Sequence, residues 1–239
     1  MPSVRGLGLT PSSARGFLRA ALVLLLCLAT RAAFAQESNV KGDAQRPAPA
    51  PSASPASVVF VFDLSMSMSE TRQMNKALLE EVSRLIATGP RENEYFIVGV
   101  STTPELLLDS TTDAGATLRA VNRVGEIRPE GASALYDACF LAVTKLLAGH
   151  HDRKFMLVFS DGEDTISDRS PKEVLTLLSN KGVTVYAVNV RKPGNIEAVL
   201  RAVAFLEKIT SRTGGKAFNA YQPGRLSRVF EELKEKLWD

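Results

Sequence analysis

Two kinds of apolar pattern alternate along most of this chain. Short continuous runs such as Val58-Val-Phe-Val-Phe62, Phe155-Met-Leu-Val-Phe159 and the stretch from Val183 to Val190 have almost no polar face. Runs of that length, rich in Val and Phe, predict strands buried on both sides. Between them apolar residues recur at helical spacing, as at Met74, Leu78, Val82 and Leu85, or at Leu226, Val229, Phe230, Leu233 and Leu237. The pattern predicts strands over 57–62, 95–100, 154–160 and 183–190. A short strand over 105–109 can form a hairpin with the one before it, and 216–219 suits an edge strand. Helices are expected over 70–87, 113–124, 133–148, 171–180, 195–210 and 224–238. Gly89-Pro90 stops the first of these, and Ser170 caps the fourth with Pro171 at its first helical position. Strand–helix alternation with doubly buried strands predicts an α/β fold, a doubly wound and mostly parallel sheet with helices on both faces. In such sheets ligands bind beyond the carboxyl ends of the strands.

The first part of the 239-residue chain does not share this pattern. Arg5, Arg15 and Arg19 precede the apolar stretch Ala20–Ala29, and Ala33-Phe-Ala35 follows as a small-x-small cleavage pattern. Residues 1–35 therefore look like a signal peptide cut near Ala35. Their apolar stretch is about half the roughly 20 residues a spanning helix needs. Bulky Leu25-Leu26 ahead of Cys27 disfavours lipid attachment there. Residues 36–56 are rich in Pro, Ala and Ser and form a disordered linker. The folded domain is expected over 57–239, in a protein exported to the periplasm or secreted. Removing residues 1–35 takes away four arginines and no acids, which leaves 25 basic against 26 acidic residues and turns the net charge from +3 to −1. That balance gives no reason to expect nucleic acid, and it limits membrane contact to the transient signal peptide. Cys139 is then the sole cysteine, within an apolar helical run, and is expected to be a small buried hydrophobe.

The candidate chemistry begins where the first strand ends, in Asp63-x-Ser65-x-Ser67. One carboxylate and two hydroxyls arrive at one point. Gly131-Ala-Ser133 and Ser160-Asp161-Gly162 are two further segments at loop positions of the same expected sheet edge. Mg²⁺ takes six hard oxygen donors and keeps waters readily. The hydroxyls of Ser65, Ser67 and Ser133 with the carboxylates of Asp63 and Asp161 fit that demand. Taken singly, each has a plainer use: serines cap helices, and aspartates accept backbone hydrogen bonds. Glu163 and Asp164 add negative charge nearby or simply form a solvated loop. His150-His151 follow a helix and are expected to be solvated, Glu80-Glu81 to lie on an exposed helix face, and Tyr136 and Phe140, one turn apart, to pack rather than to bind.

The three segments together resemble the metal-ion-dependent adhesion site of von Willebrand factor A domains, as in integrin inserted domains. Gly131-Ala-Ser-Ala-Leu-Tyr-Asp137 and Ser160-Asp-Gly-Glu-Asp164 are similar to bacterial exported proteins with a von Willebrand A-related domain. The resemblance spans about 57–238. It implies Rossmann-like topology, a divalent cation (Mg²⁺, with Mn²⁺ or Ca²⁺ as alternatives) on Asp63, Ser65, Ser67, Ser133 and Asp161, and a protein partner that donates a Glu or Asp carboxylate. It also implies a C-terminal helix able to act as a switch. Ser133 departs from the family's usual Thr; it keeps the hydroxyl and loses a methyl that restricts the rotamer. A binding domain, not an enzyme, is the expected class, with no small-molecule substrate. A metal-free scaffold of the same fold is the alternative. A metal-dependent hydrolase is weaker: Ser65 stands where a phosphatase would carry a second Asp, there is no phosphate-binding Gly-rich Lys loop, and both histidines sit together in one loop.

Overall fold

The computed structural model describes residues 54–179, 181–191 and 196–238. The expected signal peptide and most of the expected linker lie outside the described residues. The central strand β1 (Ala56–Asp63) is buried at all eight positions, as its unbroken apolar run requires. A 3₁₀ turn (Met66–Thr71) leads into α1 (Arg72–Thr88). Then follow β2 (Glu94–Val100), β3 (Pro104–Thr111), α2 (Ala114–Glu126), α3 (Leu135–Leu147), β4 (Arg153–Phe159), α4 (Pro171–Leu178), β5 (Val183–Asn189), α5 (Ile196–Ser211), β6 (Ala217–Asn219) and α6 (Pro223–Trp238).

Among the described residues the strands form one sheet in the order β3-β2-β1-β4-β5-β6. All neighbours are parallel except β2 and β3, which form the expected antiparallel hairpin. The order reverses at β1, so β1 and β4 diverge at the switch point where such sheets bind ligands. Alternate residues of β1 feed two separate cores. Val58, Phe60 and Phe62 pack with α1, α2 and α6, whereas Val59 and Val61 pack with α3, α4 and α5. The doubly wound fold is therefore present as expected.

An aromatic ladder organises the first core. Phe60 stacks on Tyr95 and Phe159 at centroid distances of 6.1 and 6.3 Å, and Phe159 continues to Phe62 at 5.0 Å and Phe230 at 6.1 Å. Phe230 brings α6 onto the sheet, and α6 is fastened to α1 as well. Trp238 donates its indole N–H to the Leu85 carbonyl at 3.2 Å, and Ser227 donates to Glu81 at 2.6 Å. Glu81 is consequently buried, not on an open face, because α6 covers that side of α1. Tyr136 and Phe140 both pack as expected, Tyr136 against Phe205 at 4.5 Å and Phe140 under the Arg169 guanidinium at 3.6 Å. Cys139 is fully buried, and burial pushes its thiol well above the ordinary range, with the charges of Asp164 and Asp63 adding to the effect. It is the inert apolar residue expected.

At the amino ends of the strands a buried carboxylate ties the edge together. Glu94 accepts from Ser57 Oγ at 2.6 Å, from the His150 backbone N–H at 2.9 Å and from Ser110 Oγ. The His150 ring Nδ1 stands 2.8 Å from Glu94 Oε1, the oxygen that also accepts from Ser110. His151 donates its backbone N–H to Ser57 Oγ at 3.2 Å, and its Nε2 lies 2.8 Å from the Glu92 carbonyl. The His150 side chain is 80% exposed, as expected, yet the pair closes this end of the sheet through hydrogen bonds. Burial alone would raise the Glu94 carboxyl. The hydrogen bonds from Ser110, Ser57 and His150 outweigh burial and lower it from 4.5 to about 2.

Two outcomes follow from this packing. Phe60→Ala should cost about 3–5 kcal/mol in urea unfolding, because it empties the middle of the ladder. A depressed carboxyl contributes stability that is complete above its unfolded value and is lost as the pH falls through the folded one. Glu94 should therefore contribute about 3 kcal/mol above pH 4.5 that disappears toward pH 2, and Glu94→Gln should remove that acid-limb slope from urea unfolding followed across this range.

Candidate functional site

The opposite, carboxyl edge of the sheet holds the three chemistry-bearing segments. Asp63 is the last residue of β1, and Leu64 still donates to the Val100 carbonyl at 2.7 Å, so the carboxylate leaves the sheet from a fixed point. Its Oδ1 accepts from the Ser65 backbone N–H at 3.0 Å and from Ser65 Oγ at 2.6 Å; its Oδ2 accepts from Ser160 Oγ at 2.6 Å. Ser67 Oγ lies 3.1 Å from Ser65 Oγ. This links the ends of β1 and β4 through one carboxylate. Burial raises the Asp63 carboxyl from 3.8 to about 6, against hydrogen bonds from Ser160 and Ser65 that lower it, and the Asp161 charge adds to the rise. A carboxylate in this state gains from any cation brought close to it.

The second segment is sewn to the first by its backbone. Met66 donates to the Gly131 carbonyl at 3.0 Å, and Glu130 donates to the Leu64 carbonyl at 2.9 Å. Gly131 has φ +77°, and a Cβ there would stand 2.5 Å from Thr102 Oγ1, so only glycine fits. The helix expected from Ser133 begins instead at Leu135. Ala134 is held outside it by donation to the Ser101 carbonyl at 2.9 Å, and Ser133 is held through Thr165, which accepts from the Ser133 N–H at 3.0 Å. Ser133 is thus buried in a loop with both backbone groups engaged, since its carbonyl accepts from Thr165 N at 2.8 Å. Its side chain has nothing. Among the described residues Ser133 Oγ is the one buried side-chain polar atom without a hydrogen-bond partner.

The third segment follows β4. Gly162 has φ +88° and donates to Ser160 Oγ at 2.9 Å, and this turn presents Asp161. Asp161 is buried, with Oδ1 accepting from Glu163 N at 3.0 Å. Its Oδ2 is taken by Arg191, whose Nη1 stands 2.7 Å away and 3.8 Å from Glu163 Oε2. Arg191 lies two residues past β5, and no motif in the sequence singled it out. Its one signal is position: a cation just beyond the carboxyl end of the strand next to β4. Ser160 and Thr165 were likewise not among the candidate ligands, and each orients one that was. Asp164 turns away from the site. Its Oδ2 accepts from Tyr136 N at 2.9 Å in the first turn of α3 and from Ser167 Oγ at 2.5 Å. It satisfies a helix N-terminus, where an anion is favoured.

Among the described residues no three His, Cys, Asp or Glu side chains gather as a metal-binding group. A cation at this edge would have to rely on hydroxyl oxygens together with the two aspartates. The donor set suits such an ion: Ser65 Oγ gives its proton to Asp63 and keeps lone pairs, and Ser133 Oγ has no competing partner. Met66 and Ile166, 58% and 50% exposed, flank these loops as an apolar rim.

The sequence profile of the von Willebrand factor type A domain matches residues 57–232. The chain belongs to the von Willebrand factor type A family. Solved structures agree with it in fold. The D319A mutant of the PilB minor pilin from Streptococcus sanguinis aligns with a TM-score of 0.62 at 13% identity, over 79% of this chain and 62% of the pilin. The conserved hypothetical protein BatB from Bacteroides thetaiotaomicron aligns at 0.59 and 15% identity, over 75% of this chain and 98% of BatB. Proximal thread matrix protein 1 from the mussel byssus, in a form with a zinc-occupied MIDAS motif, aligns at 0.62 and 19% identity, over 77% of this chain and 46% of that one. This von Willebrand A chain spans less than two thirds of the pilin and of the byssus protein. No curated protein sequence matches it. Among the described residues no helix is long and apolar enough to cross a membrane.

The unpartnered hydroxyl yields an outcome independent of any ligand. A buried hydroxyl without a partner carries an uncompensated desolvation cost. Ser133→Ala should leave the domain as stable as the native chain in the presence of chelator, or raise its stability by up to about 1 kcal/mol. Urea unfolding decides this; a loss of 2 kcal/mol or more would mean that the hydroxyl holds the fold.

Proposed function

We propose that this von Willebrand A domain is an exported interaction module that captures an acidic side chain of a protein partner through a bound divalent cation. The cation is Mg²⁺, with Mn²⁺ or Ca²⁺ as alternatives. Ser65, Ser67 and Ser133 would supply hydroxyl oxygens, and Asp63 and Asp161 the negative charge. The observation that carries this reading is the buried, unpartnered Ser133 Oγ beside loops that also carry a carboxylate raised to about 6. Both belong to a site short of one positive partner.

When bound, the cation supplies an electrophilic position for an outside carboxylate. The chain's own residues set how strongly that position attracts one. Asp63 spends both oxygens on Ser65 and Ser160, so its charge acts through those hydroxyls more than by direct contact. Neutral direct donors leave more of the cation's charge for the partner. The rim of Met66 and Ile166 favours an acidic residue with apolar neighbours. Export rests on the signal-like pattern of residues 1–35, and likeness to a pilin accords with a protein outside the cytoplasm. Von Willebrand A domains are in general interaction domains and not enzymes, which favours binding over hydrolysis. A metal-free scaffold has one observation in its favour, the Arg191–Asp161 ion pair, which gives the site an internal cation.

Calorimetric titration of the chain from Gln36 with Mg²⁺ and Mn²⁺ tests the reading. Native protein should bind one ion, and Asp63→Ala should bind none while it keeps its circular dichroism spectrum. Partner capture that persists undiminished in Asp63→Ala or in excess chelator would place the binding surface elsewhere.

A further inference from the structure

The Arg191 guanidinium occupies the charge that a cation at this edge would use. It makes a 2.7 Å contact with Asp161 Oδ2, and the Arg191 side chain is only 27% exposed against 6% for Asp161. A charge-assisted contact between groups this sheltered is among the stronger polar interactions available. Its position is fixed by structure, since the Arg191 backbone N–H donates to Asn189 Oδ1 at 2.9 Å and Asn189 ends β5. Asp63 and Asp161 together match the charge of a divalent ion. With Arg191 seated, one unit of negative charge is already neutralised, and a fixed positive group stands at the rim. Glu163 Oε2 lies 3.8 Å from the same Nη1, so a second anionic seat is within a small side-chain movement.

We propose that Arg191 is a tethered competitor for the divalent cation: it holds Asp161 in the metal-free domain, and metal binding requires its guanidinium to give up Asp161 for Glu163 and the rim. This rests on the metal-site reading above. It makes Arg191 a residue that sets metal affinity and selectivity without being a ligand. The guanidinium also offsets the repulsion between Asp161 and Asp63, whose carboxyl the Asp161 charge helps to raise. In the exchange the cation takes over the charge on Asp161, so the ion pair and the metal are alternatives.

The test compares Mn²⁺ and Mg²⁺ affinity by calorimetry in the native chain, Arg191→Met and Arg191→Lys, with unfolding temperature in chelator measured in parallel. Arg191→Met keeps much of the stem and removes the charge. It should bind the ions about ten- to a hundredfold more tightly than the native chain. In chelator it should unfold at a lower temperature, and saturating Mn²⁺ should raise that temperature by more than it does in the native chain. Arg191→Lys, which keeps the charge without the planar fork, should fall between the two. Arg191→Met combined with Asp63→Ala should lose the tight binding, which locates it at this edge. Equal or weaker binding by a folded Arg191→Met overturns the competitor role and leaves the metal site standing. Absence of binding in the native chain and in folded Arg191→Met alike overturns the metal site and the competitor with it.

Discussion

The constraint on which this structure turns is the burial of Asp63 at the tip of the central strand. β1 must be apolar on both faces to sit between two cores, and its last residue is a carboxylate only 5% exposed. Such a group has to be met by donors or by a cation. Ser65 folds back to supply two donors, which forces the tight 3₁₀ entry to α1, and Ser160 reaches across from β4. The loops that cross β1 are then pinned to it through Leu64 and Met66. Much of the geometry at this edge follows from the need to satisfy one anion.

The fold was largely legible because both faces of its strands are buried. A strand with no solvent face has no polar alternation, so β1, β4 and β5 stand out as continuous apolar runs, and helical periodicity fills the gaps between them. The capping box at α4, where Ser170 and Glu173 bond reciprocally, was half visible in Ser170-Pro171. What the pattern misjudged was decided by contacts distant in sequence. Ser133 looked like a helix start, but Ser101 and Thr165 hold the residues around it in a loop until Leu135. Glu81 looked exposed because its partner Ser227 lies 146 positions away. The candidate ligands Asp63, Ser65 and Ser67 lie within five residues and are linked through Ser65, so their association was readable. Arg191 was not, because a lone arginine after a strand carries no spacing to recognise.

The acidic loop after β4 illustrates how charge near a site is not always charge for the site. Asp164 is spent on the N-terminus of α3, and Asp137 in the first turn of that helix accepts from Asp168 and Arg169 backbone N–H groups at 3.0 and 3.1 Å. Loop and helix thus exchange anions and donors in both directions. This brace fixes Thr165, which in turn holds Ser133 by the backbone and leaves its hydroxyl alone.

The two ends of the same sheet solve the same problem in opposite ways. Glu94 at the amino edge and Asp63 at the carboxyl edge are both almost fully buried. Glu94 collects donors from Ser57, Ser110, the His150 backbone and the His150 ring, and its carboxyl falls to about 2. Asp63 collects Ser65 twice and Ser160, faces the Asp161 charge, and rises to about 6. What separates them is the balance at each carboxylate: burial and the Asp161 charge prevail at Asp63, whereas hydrogen bonds prevail over burial at Glu94. A fold that can saturate one buried carboxylate has the means to saturate another. At the carboxyl edge it instead leaves Asp63 short and Ser133 Oγ empty, and lends Asp161 a guanidinium held from the neighbouring strand. Free energy left unclaimed at one end of an otherwise well-satisfied sheet is what a ligand can collect, and it is the carboxyl end, where the chain crossings leave room, that holds it.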